Sequence, residues 1–306
     1  MSKIAFLYPG QGAQKVGMGL DFYKQFGTAR EIYEKAGAWL GLNVKELCFE
    51  VNDRLNLTQY TQAAMVTTSM AMEQVVEEQG LHPDITAGLS LGEYCAIATT
   101  GAMSVQDAIV TVRKRGILME QAVPAGQGGM AAVLGMDAEA IERVVDPIEG
   151  VSIANYNCPG QIVITGMRGA LDTAMESLKS AGARRVVELV VSGPFHSMML
   201  KEAGEQLAGE LAGVGLGELK IPYVTNVTAE LVTDNHEIKE LLARQIYSSV
   251  RWQQSVELMI AEGVDTFVEI GPGRTLTGFL KKINKEVSAY NIETVEDMDA
   301  VLKQLL

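Results

Sequence analysis

Little in this 306-residue sequence points to metal, disulfide or membrane chemistry. Its three cysteines, Cys48, Cys95 and Cys158, are scattered and odd in number, with no CxxC pair and no Cys/His cluster. Neither a disulfide framework nor a metal site is expected, and a reducing compartment fits. Proline is scarce, at 8 residues, and no low-complexity tract is present, which excludes a disordered chain. Long hydrophobic runs are lacking too. The longest uncharged stretches, such as residues 55–72, are full of Thr, Gln and Ser, so no membrane span is expected. The apolar run Ile4 to Tyr8 stops at Pro9-Gly10, too soon for the core of a signal peptide, and a cytoplasmic protein is the expectation. Positive charge is in deficit: 25 Lys plus Arg against 38 Asp plus Glu gives a formal net charge of −13. Phosphate binding needs a basic surface, so nucleic acid is excluded as a partner, and any polyanionic partner must meet a local basic patch.

What is present suits a packed α/β protein. An apolar fraction of 47% supplies a substantial core, and the length fits two domains or one large body with an insertion. Ile4–Tyr8 reads as a short buried strand ended by turn formers. A helix follows from about Gln59 to Gln79, where Ala63, Val66, Met70 and Val75 recur at helical spacing, and then a strand from Ile85 to Leu89 and a helix from Gly92 to Thr100. Between Gly128 and Ser192 the order is strand (130–134), helix (137–145), two strands (151–155 and 162–165), helix (169–181) and strand (185–191). That β-α-β-β-α-β order predicts a ferredoxin-like subdomain inserted between hinge glycines, Gly126, Gly128 and Gly129 on one side and Gly193 on the other. A late strand, 265–270, ends at Gly271-Pro272-Gly273.

Gly88-Leu89-Ser90-Leu91-Gly92 is a G-x-S-x-G sequence between an apolar strand and a helix, the setting that exposes a serine Oγ on a sharp turn. Glycines two positions either side remove side chains that would collide, and the helix N-terminus offers N–H groups to a developing oxyanion. Of the three histidines, His82 and His236 read as solvated, whereas His196 follows a buried strand in Ser192-Gly193-Pro194-Phe195-His196-Ser197 and is the candidate base. No Asp or Glu presents itself as a third member. A dyad, with the imidazole oriented by an amide or a backbone carbonyl, is the expectation. On a helix opened by Ser104 and Asp107, Lys114 points to solvent and Arg115 falls at the edge of the apolar stripe Val105, Ile109, Val112, Gly116 and Met119. It either snorkels or grips a carboxylate. The loop Gly10-Gln11-Gly12-Ala13-Gln14-Lys15 fails as a phosphate loop, because Lys15 replaces the third glycine of G-x-G-x-x-G and Met18 stands where a P-loop needs lysine. It is better placed to bring a backbone N–H close to Ser90, completing an oxyanion hole with the N–H of Leu91.

These residues together resemble the malonyl-CoA:acyl carrier protein transacylases of bacterial fatty acid synthesis, relatives of polyketide synthase acyltransferase domains. The resemblance covers essentially the whole chain: Tyr8 to Gln14 resembles the family's opening motif, Gly88 to Tyr94 its nucleophile elbow, Gly193 to Ser197 its histidine motif, and Glu269 to Gly273 its C-terminal motif. It implies an α/β-hydrolase-like body (residues 1–126 and 193–306) with a ferredoxin-like insertion (127–192). Ser90 would be acylated, with His196 as its base, Gln245 orienting the histidine, and the N–H groups of Gln11 and Leu91 forming the oxyanion hole. Arg115 would bind the free malonyl carboxylate, with Phe195, Met119, Gln62 and Asn157 around the substrate. Phe195 looks like the malonyl-selective version. One departure is Leu89, where many members carry histidine.

The resemblance further implies a ping-pong transfer from malonyl-CoA to the phosphopantetheine thiol of acyl carrier protein, no permanently bound cofactor, and a monomer. A basic patch for the acidic carrier is sought among Lys281, Lys282, Lys285, Arg184, Arg185 and Lys201. A serine esterase or thioesterase on the same scaffold is the alternative, and a noncatalytic acyl-CoA-binding protein a third reading.

Overall fold

The computed structural model describes residues 2–124 and 126–306; Met1 and Ala125, both within the expected larger body, lie outside the described residues. The strands are β1 (Ile4–Tyr8), β2 (Ile85–Gly88), β3 (Gly128–Leu134), β4 (Val151–Cys158), β5 (Gln161–Met167), β6 (Arg185–Glu188), β7 (Tyr223–Val224), β8 (Leu231–Val232), β9 (Thr266–Ile270) and β10 (Ser288–Ile292). They form a six-stranded sheet, in the order β10-β9-β1-β2-β7-β8, and a separate four-stranded sheet, in the order β4-β5-β3-β6.

In the large sheet all pairings from β10 to β7 are parallel, and only β8 is antiparallel. A parallel strand with helices on both sides must be apolar on both faces. β1 meets that demand: Phe6 and Tyr8 enter one core cluster, while Ala5 and Leu7 enter another on the opposite face. The helix Thr58–Glu78 is buried nearly all round, which explains why its apolar and small residues do not confine themselves to one stripe.

The smaller sheet is antiparallel throughout. Ala131, Val133, Ile162 and Ile164 on one face pack with Ile141 and Val145 of the helix Ala138–Val145 and with Leu171, Ala174 and Leu178 of the helix Arg168–Ser180. Met130 and Val163, on the other face, join the main core cluster. The two sheets are tied where β4 meets the segment around Val250, through Tyr156 N–H to Val250 O (2.9 Å) and Val250 N–H to Ala154 O (2.8 Å). Among the described residues no helix is long and apolar enough to cross a membrane.

The expected elements are present, with two corrections. β6 ends at Glu188, not Val191, because the chain leaves the sheet there: Leu189 and Val191 turn onto a cavity wall and Val190 is fully exposed. β4 runs on past Asn155 to Cys158, with irregularities at Ile153/Asn155 and Tyr156/Cys158 that break the simple alternation on which the shorter range rests.

The turn after β2 is set by backbone contact. A Cβ on Gly88 would lie 2.0 Å from the Gly92 backbone, and one on Gly92 would lie 2.2 Å from the Tyr8 carbonyl oxygen. No rotamer change relieves a clash with backbone, so β1, β2 and the helix Gly92–Thr99 meet only if both positions are glycine. Gly92→Ala is therefore expected to lower the stability measured by urea unfolding by about 2–3 kcal/mol. Gly209→Ala is the control, at an exposed helical position with nothing within 4 Å; it should gain about 0.5–1 kcal/mol.

Candidate active site

The C-terminal ends of β1, β2, β7 and β9 open on one edge of the large sheet, the usual place for a site in an open parallel sheet. Ser90 stands there at φ 50°, a left-handed conformation that a residue other than glycine adopts only when its surroundings impose it. Its Oγ is 2.7 Å from His196 Nε2. His196 is itself held at φ 57°, and its N–H donates to the Ile246 carbonyl (3.1 Å). Its Nδ1 faces two backbone carbonyls, Gln245 O at 2.9 Å and Ser248 O at 3.1 Å. Both are acceptors, so the proton belongs on Nδ1, leaving the Nε2 lone pair toward the serine. Gln245 thus meets the histidine through its carbonyl and not through its side chain, and Ser248 supplies a second acceptor that no sequence motif signals.

Burial first and the nearby Arg115 charge second, against the opposing pull of the two carbonyls, bring the His196 pKa down from 6.5 to about 4. The ring is therefore neutral at ordinary pH. Arg115 lies deeper than the apolar stripe suggests, fully buried instead of at a snorkelling margin. Its NH1 donates to Gln62 Oε1 (2.9 Å), and its NH2 to Ser90 Oγ (3.0 Å) and Gln245 Oε1 (2.9 Å). Its Nε has no partner, and among the described residues no carboxylate forms an ion pair with it. A buried guanidinium with only neutral partners is a ready receptor for an anion. Lys114, by contrast, reaches Glu210 at the surface.

Two residues that sequence reasoning missed complete the arrangement. Asn226, just past β7, accepts the Ser90 N–H on Oδ1 (2.6 Å) and donates from Nδ2 to Gly88 O (2.7 Å). The Ser90 N–H is thus consumed, while the N–H groups of Gln11 and Leu91, on the cavity wall, have no acceptor among the described residues. Glu93, in the first turn of the helix behind the serine, is fully buried and accepts from Thr225, Asn226 and Gln245. Burial pushes its pKa up to about 7, against the pull of those donors. The only sequence signal for either was position: Glu93 follows the G-x-S-x-G turn at once, and Asn226 falls beyond a strand too short to read.

A cavity of about 210 Å³ opens in front of Ser90. The larger sheet's side contributes Gln11, Gln62, Leu89, Leu91, Arg115, Met119, Phe195, Thr275 and Phe279; the smaller sheet contributes Met130, Asn155, Asn157 and Val163, and the segment that follows β6 adds Leu189 and Val191. All ten expected site residues are thereby brought together, nine on the cavity wall and Gln245 behind it. Gln62 Nε2 also touches Met119 Sδ (3.4 Å), and Asn157 Oδ1 is buried without a partner. His82 and His236 lie far from this edge, His82 beside Glu77 and His236 in a short 3-10 turn. Among the described residues no group of three metal-ligating side chains occurs.

The acyl transferase domain family matches residues 5–299, which sets the class. A malonyl CoA-acyl carrier protein transacylase of Bacillus subtilis is 46% identical over 310 residues, covering 100% of this chain and 98% of that protein; one of Staphylococcus aureus is 42% identical, covering 97% and 98%. Among solved structures, the malonyl CoA-acyl carrier protein transacylase of Clostridium perfringens superposes with a TM-score of 0.96 at 42% identity, covering 99% of this chain and 97% of that one. A malonyl-transacylase solved in complex with a type II PKS acyl-carrier protein superposes with a TM-score of 0.96 at 37% identity, covering 99% and 100%. The chain belongs to the malonyl CoA-acyl carrier protein transacylase family of acyl transferases.

An NMR titration of the His196 ring should show a midpoint near 4, and Arg115→Ala, which removes a neighbouring charge and admits water, should move it upward. The sign for stability follows: below pH 6.5 the unfolded chain takes up a proton that the folded site refuses until about 4, so His196 costs stability progressively across that window.

Proposed function

We propose that the protein moves the malonyl group from malonyl-CoA to the phosphopantetheine thiol of acyl carrier protein through a malonyl ester on Ser90. The observation that carries this reading is the position of Ser90 Oγ, within hydrogen-bond distance of both a neutral histidine and a buried arginine that has no carboxylate partner. The first group makes a nucleophile of the hydroxyl; the second selects an acyl group that brings its own negative charge.

In the first half-reaction Oγ attacks the thioester carbonyl while His196 Nε2 takes its proton. The oxyanion is received by the N–H groups of Gln11 and Leu91, the amides the protein leaves free. Collapse breaks the carbon–sulfur bond, and the imidazolium returns the proton to the departing coenzyme A thiolate. The phosphopantetheine thiol then gives its proton to His196, attacks the ester carbonyl, and releases Ser90 with its proton restored. The imidazolium formed in each half lies beside the Arg115 charge and keeps its proton only briefly.

The cavity is smaller than the usual 300–1,000 Å³ of a site for drug-sized ligands, which suits a short acyl group on a thin pantetheine arm, the nucleotide remaining outside. Met119, Met130, Val163, Leu189, Val191 and Phe195 make most of its wall apolar, which disfavours water as the second acceptor. Asn157 and Gln62 supply polar groups beside the acyl chain. Leu89, on the cavity wall, bears on packing and on rate, not on the kind of reaction.

We read the large sheet with its helices, residues 1–126 and 193–306, as an α/β-hydrolase-like body, and residues 127–192 as a ferredoxin-like insertion; the strand order β4-β5-β3-β6 with two helices on one face supports the second label. We read the protein as a monomer; the steps above invoke only side chains and amides of this chain and so call for no resident cofactor, and three free cysteines suit the cytoplasm. Lys281 and Lys282 are exposed on the helix Thr275–Ile283 whose Thr275 and Phe279 line the cavity, so a carrier docked on them would have its arm near the mouth.

Intact-mass measurement after mixing with malonyl-CoA should show one malonyl group added, none on Ser90→Ala, and discharge only when carrier protein is supplied; rapid discharge by water alone would make the protein a thioesterase. Arg115→Ala should lower kcat/KM for malonyl transfer about a hundredfold and transfer of an uncharged acetyl group far less. Equal losses would remove Arg115 from selection.

A further inference from the structure

We infer that Glu93 is a positioning residue for acyl selection: its carboxylate fixes the Gln245 amide so that Oε1 faces Arg115, and through that contact sets the guanidinium for the substrate carboxylate. The inference rests on the malonyl-transfer reading and adds to it a residue whose side chain touches neither the substrate nor the Ser90 hydroxyl.

The geometry is closed on every side. Gln245 Nε2 donates to Glu93 Oε2 (2.7 Å) and to Ser90 O (2.8 Å), while its Oε1 accepts from Arg115 NH2 (2.9 Å). Reversing the amide would set its NH2 against the guanidinium, donor to donor, and its oxygen against two acceptors, so a single orientation satisfies all of them. Glu93 is in turn anchored by the loop after β7: Oε1 accepts from Thr225 Oγ1 (2.8 Å), and Oε2 from the Asn226 N–H (3.1 Å). The Asn226 side chain holds the Ser90 N–H and the Gly88 carbonyl. One buried carboxylate therefore registers three segments: the nucleophile turn, the loop after β7, and the Gln245 segment whose carbonyl faces His196 Nδ1. Without it Gln245 Nε2 keeps only the Ser90 carbonyl, and the amide that Arg115 meets is held less firmly.

What matters on this view is an acceptor oxygen at Oε2. Glu93→Gln can retain it, because its NH2 can turn toward the Thr225 hydroxyl, which is able to accept. Glu93→Met has similar length and offers none. The readout is the ratio of kcat/KM for malonyl transfer to that for acetyl transfer, with kcat and KM resolved separately. Glu93→Met should lower the ratio about tenfold or more, chiefly through KM for malonyl-CoA, and Glu93→Gln should stay within about threefold of the parent. Losses shared equally by both acyl groups in Glu93→Met, or a Glu93→Gln ratio as low as that of Glu93→Met, would overturn the assignment. If Glu93→Met does not fold, Gln245→Met, which removes the amide that the carboxylate orients and its contact with Arg115, takes its place: a lowered malonyl-to-acetyl ratio supports the relay and an unchanged ratio rejects it. Failure of the parent protein to form a malonyl-serine would instead refute the transfer reading itself, so the two failures are distinct.

Discussion

The arrangement depends on how closely three stretches of backbone approach one another at the end of β2. Gly92 lies against the Tyr8 carbonyl and Gly88 against the Gly92 backbone, with no room for a methyl group at either. This contact leaves Ser90 no relaxed conformation, and the Asn226 amide then clamps the strained residue from both sides, at its own N–H and at the Gly88 carbonyl. A serine on a relaxed turn would have rotamer and backbone freedom to lose before each attack. Here that freedom is removed on folding, at a cost borne by the surrounding sheet.

The electrostatics of the site involve a compromise. In the proposed mechanism a histidine held far below its ordinary pKa is neutral and available as a base but is a weak one, and the imidazolium it would form stands next to a permanent cation. That is a poor resting state and a good transient one, because it favours passing the proton to the departing sulfur. Glu93 moderates the excess of positive charge without pairing with it, since one neutral amide lies between carboxylate and guanidinium. A direct ion pair would satisfy Arg115 permanently and leave nothing for a substrate anion to relieve.

Much of this was legible in the letters. The G-x-S-x-G turn between an apolar strand and a helix has a steric reason at each glycine, and His196 stood out because the other histidines occupy polar connections. The strand and helix order of the smaller sheet could be followed because its short apolar runs are separated by turn formers and by two amphipathic helices. Legibility failed where a residue's role comes from tertiary neighbours alone. Asn226 follows a two-residue strand with no periodicity to read, and the carbonyl of Ser248 has no side-chain signal at all. Arg115 was placed at a helix margin because its own helix says so; only the packing of that helix against Thr58–Glu78, where a Cβ on Gly116 would strike the Gln59 backbone at 2.7 Å, reveals how deep it lies. The early end of β6 and the long course of β4 were hidden for a related reason: irregular edges obey the cavity they border before they obey strand alternation.

That cavity is lined from two parts of the chain. Nucleophile, base, guanidinium and free amides all project from the larger sheet's side, whereas Met130 and Val163 are lent by the smaller one, and Leu189 and Val191 by the segment that follows β6, across the seam at Val250. The reacting groups thus come from one part of the chain, and the apolar wall that sets the width is shared between the two, Met119, Phe195 and Phe279 facing the four lent residues. Smaller side chains at Met130, Val163, Leu189 or Val191 would therefore widen the chamber for a branched or longer acyl chain without replacing a single reacting group.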